Sequence, residues 1–346
     1  MRELFRKRWF LLGLAILIPS GLMIGANGDP DQIRNYANLV PPRLITAIVL
    51  FLMSFSLDSA KLRSSFRTPA PVSWAAIMNF GLIPLLAWGL MPLQRSPDFE
   101  LGLMIAASVP CTMAAASVWT RRAGGNDAIS LLVTVLTNSL CFIVTPSLLA
   151  LTTRQGNVEL DFADMFWRLV SAVLIPTFIG QAIRQFPGPG RFATKQKVPI
   201  GVLAQAFILL IVFSAACKAG IRLTIVDDRP DTFAVAIVWA SCIAIHLTAM
   251  LVGYWGARGF GFAREDRIAI AFAGSQKTLP IGVFIATDPQ IFGNPNLLET
   301  GVGIPFAVFP ILMYHASQLF IDTAIADRFA QKGRQLATKN SDGTSQ

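Results

Sequence analysis

Gly274-Ser275-Gln276-Lys277-Thr278 interrupts an apolar run that extends from Arg267 to Thr287 and sets a lysine in its middle. A matching interruption, Ser108-Val109-Pro110-Cys111-Thr112, falls inside the run from Glu100 to Trp119. Backbone groups freed by a break in a membrane helix have no water to bond to, so a break is tolerated only where it is buried in protein or lines a wet cavity. Pro110 removes an N–H and disfavours helical geometry at Val109, and Gly274 and Pro280 bracket the second break in a comparable way. A single intramembrane proline is ordinarily a kink. Two polar breaks at corresponding positions in two halves of a chain instead point to the binding site of a repeat-built secondary transporter, where half-helix ends can hold ions and polar solutes.

The rest of the chain reads as membrane. Of 346 residues, 53% are hydrophobic and only 14% charged, against about 25% charged in an average soluble domain; the mean hydropathy is +0.56. Apolar runs near or above the roughly 18 residues that cross a bilayer as a helix extend over Trp9–Gly25, Pro42–Leu57, Pro71–Leu93, Glu100–Trp119, Asp127–Thr152, Met165–Gln185, Val198–Cys217, Thr232–Ala257, Arg267–Thr287 and Val302–Ile325. The fold class is therefore an all-α membrane protein of ten transmembrane helices. A net charge of +9 does not indicate nucleic acid, because most of the 29 lysines and arginines alternate loop by loop on one side. With a cytoplasmic N-terminus, that side holds Arg2 to Arg8, Lys61 to Arg67, Arg121 and Arg122, Arg184 to Lys197, Arg258 to Arg267, and Arg328 to Lys339. This is the positive-inside pattern, and it places both termini in the cytoplasm. The basic N-terminus and its apolar run are read as a retained helix and not a cleaved signal, since the parity requires it. Cys111, Cys141, Cys217 and Cys242 all lie within spans, so they form no exposed disulfide framework.

Spacings repeat between the halves. Glu100 to Thr112 matches Asp266 to Thr278, Trp74 to Glu100 nearly matches Trp239 to Asp266, and Leu17-Ile18-Pro19 is echoed by Leu174-Ile175-Pro176. Five helices per copy reverse the second copy in the membrane, which gives two inverted five-helix repeats. The first repeat spans residues 1–153, an external linker 154–164, the second repeat 165–330, and a polar tail expected to be disordered 331–346.

Lys277 is the lysine placed deepest in an apolar span, at an insertion penalty on the order of 2.5 to 3.5 kcal/mol. It lies about 15 Å from either surface, a strained distance for snorkelling. It reads as an internal cation that pairs with an anionic solute or replaces a coupling metal ion, or else as a carrier of protons. Helix five opens with Asn126 and Asp127 and continues through Ser130, Thr134, Thr137 and Asn138, a polar stripe that can line an ion path or bond across a helix interface. Asn79 in helix three is a further candidate, as are Ser275, Gln276 and Thr278 at the second break. His246 and His315 read as satisfied packing residues, and Cys111 as a buried thiol or a soft-metal ligand.

Pro110-Cys111-Thr112 through Ser117, followed by Gly125-Asn126, Ser130, Thr134 and Thr145-Pro146, resembles helices four and five of the bile acid:sodium symporter family. Gly274-Ser275-Gln276-Lys277-Thr278-Leu279 resembles helix nine of its bile-acid-symporter-like bacterial branch. The resemblance implies ten helices in a panel and a core domain, with helices 4 and 9 broken and crossing. It implies Ser130, Thr134 and Gln276 as possible sodium ligands, with Asn79 where a glutamine is usual and Ala116-Ser117 where the family has Ser-Asn. The helix-nine carboxylate is replaced by Phe272, and Lys277 follows five residues later. Like charges a few ångströms apart repel by several kcal/mol in a semi-buried site, so two-ion sodium coupling is not expected. Na⁺ or H⁺ remains the coupling ion to be considered, and no other cofactor is implied.

The expected function is secondary active transport of organic anions or amphipathic organic solutes by alternating access, in a multi-pass protein of the bacterial inner membrane. The sequence leaves its oligomeric state open. A related family, the arsenite exporters, shares Pro110-Cys111-Thr112 and Trp119 and supplies the alternative of metalloid export through Cys111. An intramembrane enzyme or receptor is the alternative of another class. It is disfavoured by the lack of a His-Glu-x-x-His or Gly-x-Ser-x-Gly pattern, and by Asp322 lying late in its helix, where no mid-span acid accompanies either histidine.

Overall fold

A computed structural model describes residues 2–39, 41–58, 69–113, 115–153, 161–225, 230–288, 291 and 305–343. Its helices are α1 (Arg2–Asn27), α2 (Pro30–Asn38), α3 (Pro42–Ser56), α4 (Pro69–Leu93), α5 (Pro97–Ser108), α6 (Ala116–Arg122) and α7 (Asp127–Thr153). They continue as α8 (Phe162–Arg184), α9 (Pro187–Lys195), α10 (Lys197–Ile225), α11 (Thr232–Gly259), α12 (Arg264–Ser275), α13 (Leu279–Thr287) and α14 (Val308–Gly343). The described residues contain no strand. Among them, 8 spans are long and apolar enough to cross a membrane, with α12 and α13 counted as one; α3 is apolar but shorter. The basic residues Lys61, Arg63 and Arg67, and linker residues 154–160, lie outside the described residues.

Two sets of helices pack among themselves. In one, α1 lies along α10, and α3 packs on α8 and α10. Glycines set the α1–α10 approach: a Cβ at Gly25 would sit 2.1 Å from the Cys217 carbonyl oxygen, and one at Gly220 would sit 2.4 Å from that of Leu22. Small residues allow such backbone contact where lipid supplies no hydrophobic drive between helices. In the second set, α11 packs on α12 and α14, and α12 on α4, α6 and α7. The outer faces carry exposed Ile16, Trp88, Ile143, Phe178 and Leu251. Polar side chains are buried inside, as a lipid-facing surface requires.

Both apolar segments break where their sequences do. The α5 helix stops at Ser108, Val109 turns to extended geometry (φ −70°, ψ 157°), and helix resumes at Ala116. In the second segment α12 stops at Ser275, Gln276 and Thr278 are extended, and α13 begins with Leu279-Pro280. The most apolar 18-residue window of Arg264–Thr287 is 100% buried, whereas that of α1 is 17% buried. Protein therefore encloses the broken backbone.

Two further irregularities appear. A π-helical turn occupies Met78–Leu82 in α4, and another occupies Val170–Leu174 in α8. Each is followed by Ile-Pro, where the proline has no N–H to give and the wider turn absorbs the lost bond. The Leu-Ile-Pro of α1 lies within continuous α-helix, whereas Leu82-Ile83-Pro84 and Leu174-Ile175-Pro176 each follow or overlap a π turn. In the polar tail, α14 runs unbroken from Val308 to Gly343. Ala324, Ala326, Ala330, Gln331 and Lys332 are good helix formers, and no proline follows Pro310. Asp327 of this helix is held at 2.6 Å by Arg122.

Candidate functional site

The extended residues of the two breaks lie across each other. The Thr278 N–H donates to the Pro110 carbonyl at 2.9 Å, a backbone bond that ties the breaks directly. Breaking a helix strands carbonyls and amides, and the neighbouring helices supply their partners. From α7, Asn138 Nδ2 donates to the Cys111 carbonyl at 2.9 Å, Thr145 Oγ1 donates to the Ser108 carbonyl at 2.8 Å, and Thr137 Oγ1 accepts from the Cys111 N–H at 3.2 Å. Thr134 Oγ1 approaches the Thr112 carbonyl and Cys111 Sγ at 3.5 and 3.6 Å. The hydroxyl stripe read from the sequence therefore serves mostly to cap the first break.

Lys277 lies at the centre, 2% exposed. Its Nζ donates to the Asn79 carbonyl at 2.7 Å, the Val109 carbonyl at 2.8 Å and Asn79 Oδ1 at 3.2 Å, and sits 5.5 Å from the Phe80 ring centroid. Asn79 in turn donates through Nδ2 to the Gln276 carbonyl at 2.9 Å. The π turn of α4 thus presents a side-chain and a main-chain oxygen to one ammonium. Val109 is the residue whose helical geometry Pro110 forbids, which leaves its carbonyl free to accept. Among the described residues Lys277 makes no ion pair. Oxygen atoms surround this buried amine, with no carboxylate beside it among the described residues.

A carboxylate is nevertheless present on the far side of the second break. Asp322 of α14 is 0% exposed; its Oδ1 lies 3.0 Å from His246 Nε2, and its Oδ2 accepts from Gln276 Nε2. His246 Nδ1 faces the Ser275 carbonyl at 3.2 Å, to which the Tyr314 hydroxyl also donates at 3.0 Å. Gln318 clamps Lys277 at the main chain, accepting its N–H at 2.9 Å and donating to its carbonyl at 2.8 Å, and reaches His315 Nδ1 at 2.8 Å. The two histidines are satisfied, as expected, but as supports of the second break. Asp322 overturns the expectation that no mid-span acid accompanies them.

Of the residues singled out from sequence, Asn79, Pro110, Cys111, Thr112, Thr134, Asn138, Ser275, Gln276, Lys277 and Thr278 gather at the crossing. Three others lie away from it. Ser130 bonds the Thr120 hydroxyl at 2.6 Å, Asn126 holds Asp266 at 2.9 Å beside the start of α12, and Ser117 is buried in α6. Sequence reasoning missed Asp322, Gln318 and Tyr314 as members of the site.

Gln276 Oε1 and Asn138 Oδ1 are buried without partners and open to accept. Thr134 Oγ1 donates to the Ser130 carbonyl at 2.8 Å, but Ser130 Oγ turns to Thr120 and Gln276 to Asp322, while Lys277 Nζ fills a cage of three oxygens. Among the described residues no three His, Cys, Asp or Glu side chains converge on a metal position.

Comparison with known proteins agrees with this architecture. A model of the SBF-like CPA transporter family matches residues 8–331. Sodium/bile acid cotransporter 7 of Rattus norvegicus is 23% identical, over 93% of this chain and 92% of its own length. Probable sodium/metabolite cotransporter BASS4, chloroplastic, of Oryza sativa subsp. indica is 27% identical over 87% of this chain and 77% of its own. Uncharacterized protein PA2026 of Pseudomonas aeruginosa is 26% identical over 73% of each chain. With crossed broken segments at its centre and a family match along nearly its whole length, the chain belongs to the SBF-like CPA transporter family and is a multi-pass membrane transporter, not an enzyme.

Proposed function

We propose that this protein is a secondary active transporter of organic anions, in which Lys277 is a fixed internal cation standing where relatives use a mobile one. The observation that carries the reading is the burial of Lys277 Nζ among Val109 and Asn79 oxygens with no carboxylate partner. An ammonium in low dielectric without a counter-ion attracts an anionic ligand group strongly. Such a group would draw Nζ away from the Val109 carbonyl and so loosen the contact between the two breaks. Asn138 Oδ1 and Gln276 Oε1, buried acceptors without partners, would take hydrogen bonds from hydroxyls of the same solute.

In this reading ten helices cross the inner membrane of a bacterium with both termini cytoplasmic, arranged as two inverted repeats. The set of α1, α3, α8 and α10 forms the panel, and the set around α12 and α13 forms the core. The space beside Lys277, between Val109, Ile311, Tyr314 and His315, is too tight for water in this conformation, so access requires panel and core to move apart. Sodium is not the driver in a two-ion scheme, since Lys277 supplies one of the charges. The metalloid alternative gains no support, as Cys111 is 0% exposed and its Sγ is engaged by Thr112 and Thr134. The test is a thermal-shift screen of the purified protein against carboxylates and sulfonates, with Na⁺ and with K⁺. Stabilisation by one or more anions in either salt is expected. Stabilisation only by neutral or cationic solutes would refute the assignment.

A further inference from the structure

A second cation cluster lies apart from the crossing, at the end of the molecule where α11 finishes and α12 begins. Arg258, Arg264, Arg267 and Lys332 line one cavity of about 360 Å³, closed by Tyr254 and Phe329, whose rings lie 5.5 Å apart. No carboxylate lines it. Among the described residues none of the four cations makes an ion pair, although the same end contains acids: Asp327 is taken by Arg122, Asp127 by Arg121, and Asp266 by Asn126. The opposite end differs, since there Arg95, Arg168 and Arg222 each face an aspartate. Four cations without an ion pair among the described residues thus converge on one cavity that no carboxylate lines.

The arginines are oriented for a ligand. Arg258 lies 5.2 Å over the Trp255 ring and Arg267 lies 5.4 Å over the Tyr254 ring, which holds both guanidinium groups at the cavity wall. Arg267 Nε is buried with no hydrogen-bond partner, an uncompensated charged donor. Planar, pre-oriented guanidinium groups match the oxygens of phosphate. Trp255 is 55% exposed at the end of its span, as an interfacial aromatic residue should be. Basic pockets between membrane helices at this level bind lipid head groups.

We propose that this cavity binds a phosphate group, that of an anionic phospholipid at the cytoplasmic leaflet, and that occupancy ties α11 and α12 to α14. Because α12 leads to Gln276 and Lys277, and α14 carries Asp322 and Gln318, such a ligand would hold the two elements that support the second break. The identity of the transported solute does not enter this proposal.

The test compares the whole protein and the double variant Arg258→Gln/Arg267→Gln in nanodiscs of phosphatidylcholine alone or mixed with phosphatidylglycerol. Phosphatidylglycerol should raise the wild-type unfolding midpoint by roughly 5 °C and the variant's by much less. Native mass spectrometry should show phosphatidylglycerol retained on the wild type in preference to phosphatidylcholine, with that preference lost in the variant, a readout that does not depend on stability. A third arm adds inorganic phosphate or glycerol phosphate to protein in neutral detergent. A variant-sensitive shift there keeps the site and assigns it a soluble source. Equal phosphatidylglycerol retention and equal shifts in wild type and variant would overturn the proposal.

Discussion

Replacing Lys277 by methionine keeps the length and bulk of the side chain and removes its charge. The substitution strands the Val109 and Asn79 carbonyls, which Nζ now satisfies at 2.8 and 2.7 Å. Each unsatisfied buried acceptor costs about 1–3 kcal/mol. The same change relieves the burial of an unpaired ammonium, a penalty of several kcal/mol. These effects oppose each other at similar size, so the variant should fold with an unfolding midpoint near that of the wild type. Ligand binding has no such compensation. A solute carboxylate brought to the crossing would be left without its counter-charge, a loss of about 3–5 kcal/mol, or roughly two to four decades in Kd. At a ligand concentration a hundredfold above the wild-type Kd, the wild type gains about 2.7 kcal/mol of stability, and a variant weakened by two decades gains about 0.4 kcal/mol. The assay is thermal unfolding of both proteins with the anions that stabilise the wild type. Lys277→Met stabilised to the same extent as the wild type would refute a role for the ammonium in binding.

Asp322→Ala leaves His246 Nε2 and Gln276 Nε2 facing a void; a loss of about 3–5 kcal/mol is expected, read as a lower unfolding midpoint than that of Ser147→Ala on the exposed side of α7. Gly25→Ala places a methyl 2.1 Å from the Cys217 carbonyl oxygen and should destabilise by about 1–3 kcal/mol, whereas Gly89→Ala, with nothing within 4 Å, should be neutral or stabilising. An equal midpoint for the two glycine variants would contradict the close α1–α10 approach. Asn138→Ala removes the donor to the Cys111 carbonyl and should lower stability by about 1–3 kcal/mol, measured by denaturant unfolding in micelles.

Much of the centre was legible because its residues violate membrane rules locally. Pro110 after Val109, Gly274 before Pro280, and a lysine between them each break a rule within a few residues, and the structure breaks both helices there. Asn79 and Asn138 stood out as amides within apolar runs for the same reason. Asp322 did not, because it sits 76 residues from His246 and 46 from Gln276 along the chain, and only packing brings them together. Its helix was also read as ending near Ile325, which placed the aspartate close to a surface; α14 in fact continues to Gly343, and Asp322 lies within it. The π turns were illegible, since Ile-Pro occurs in α1, α4 and α8 but perturbs only two of them. Ser117 rests on family resemblance and Asn126 on its place at the start of the helix-five polar stripe, and local bonds at the end of the core hold Asn126 away from the crossing.

The role proposed for Lys277 is to supply the positive charge that relatives' names associate with sodium. Its most direct measurement is uptake into proteoliposomes of an anion that stabilises the protein, with inward Na⁺ and inward K⁺ gradients of equal size, for the wild type and Lys277→Ala. Wild-type uptake that is indifferent to the choice of cation, and its loss in Lys277→Ala, is the predicted result. Uptake that rises steeply with the Na⁺ gradient and persists unchanged in Lys277→Ala would contradict the account.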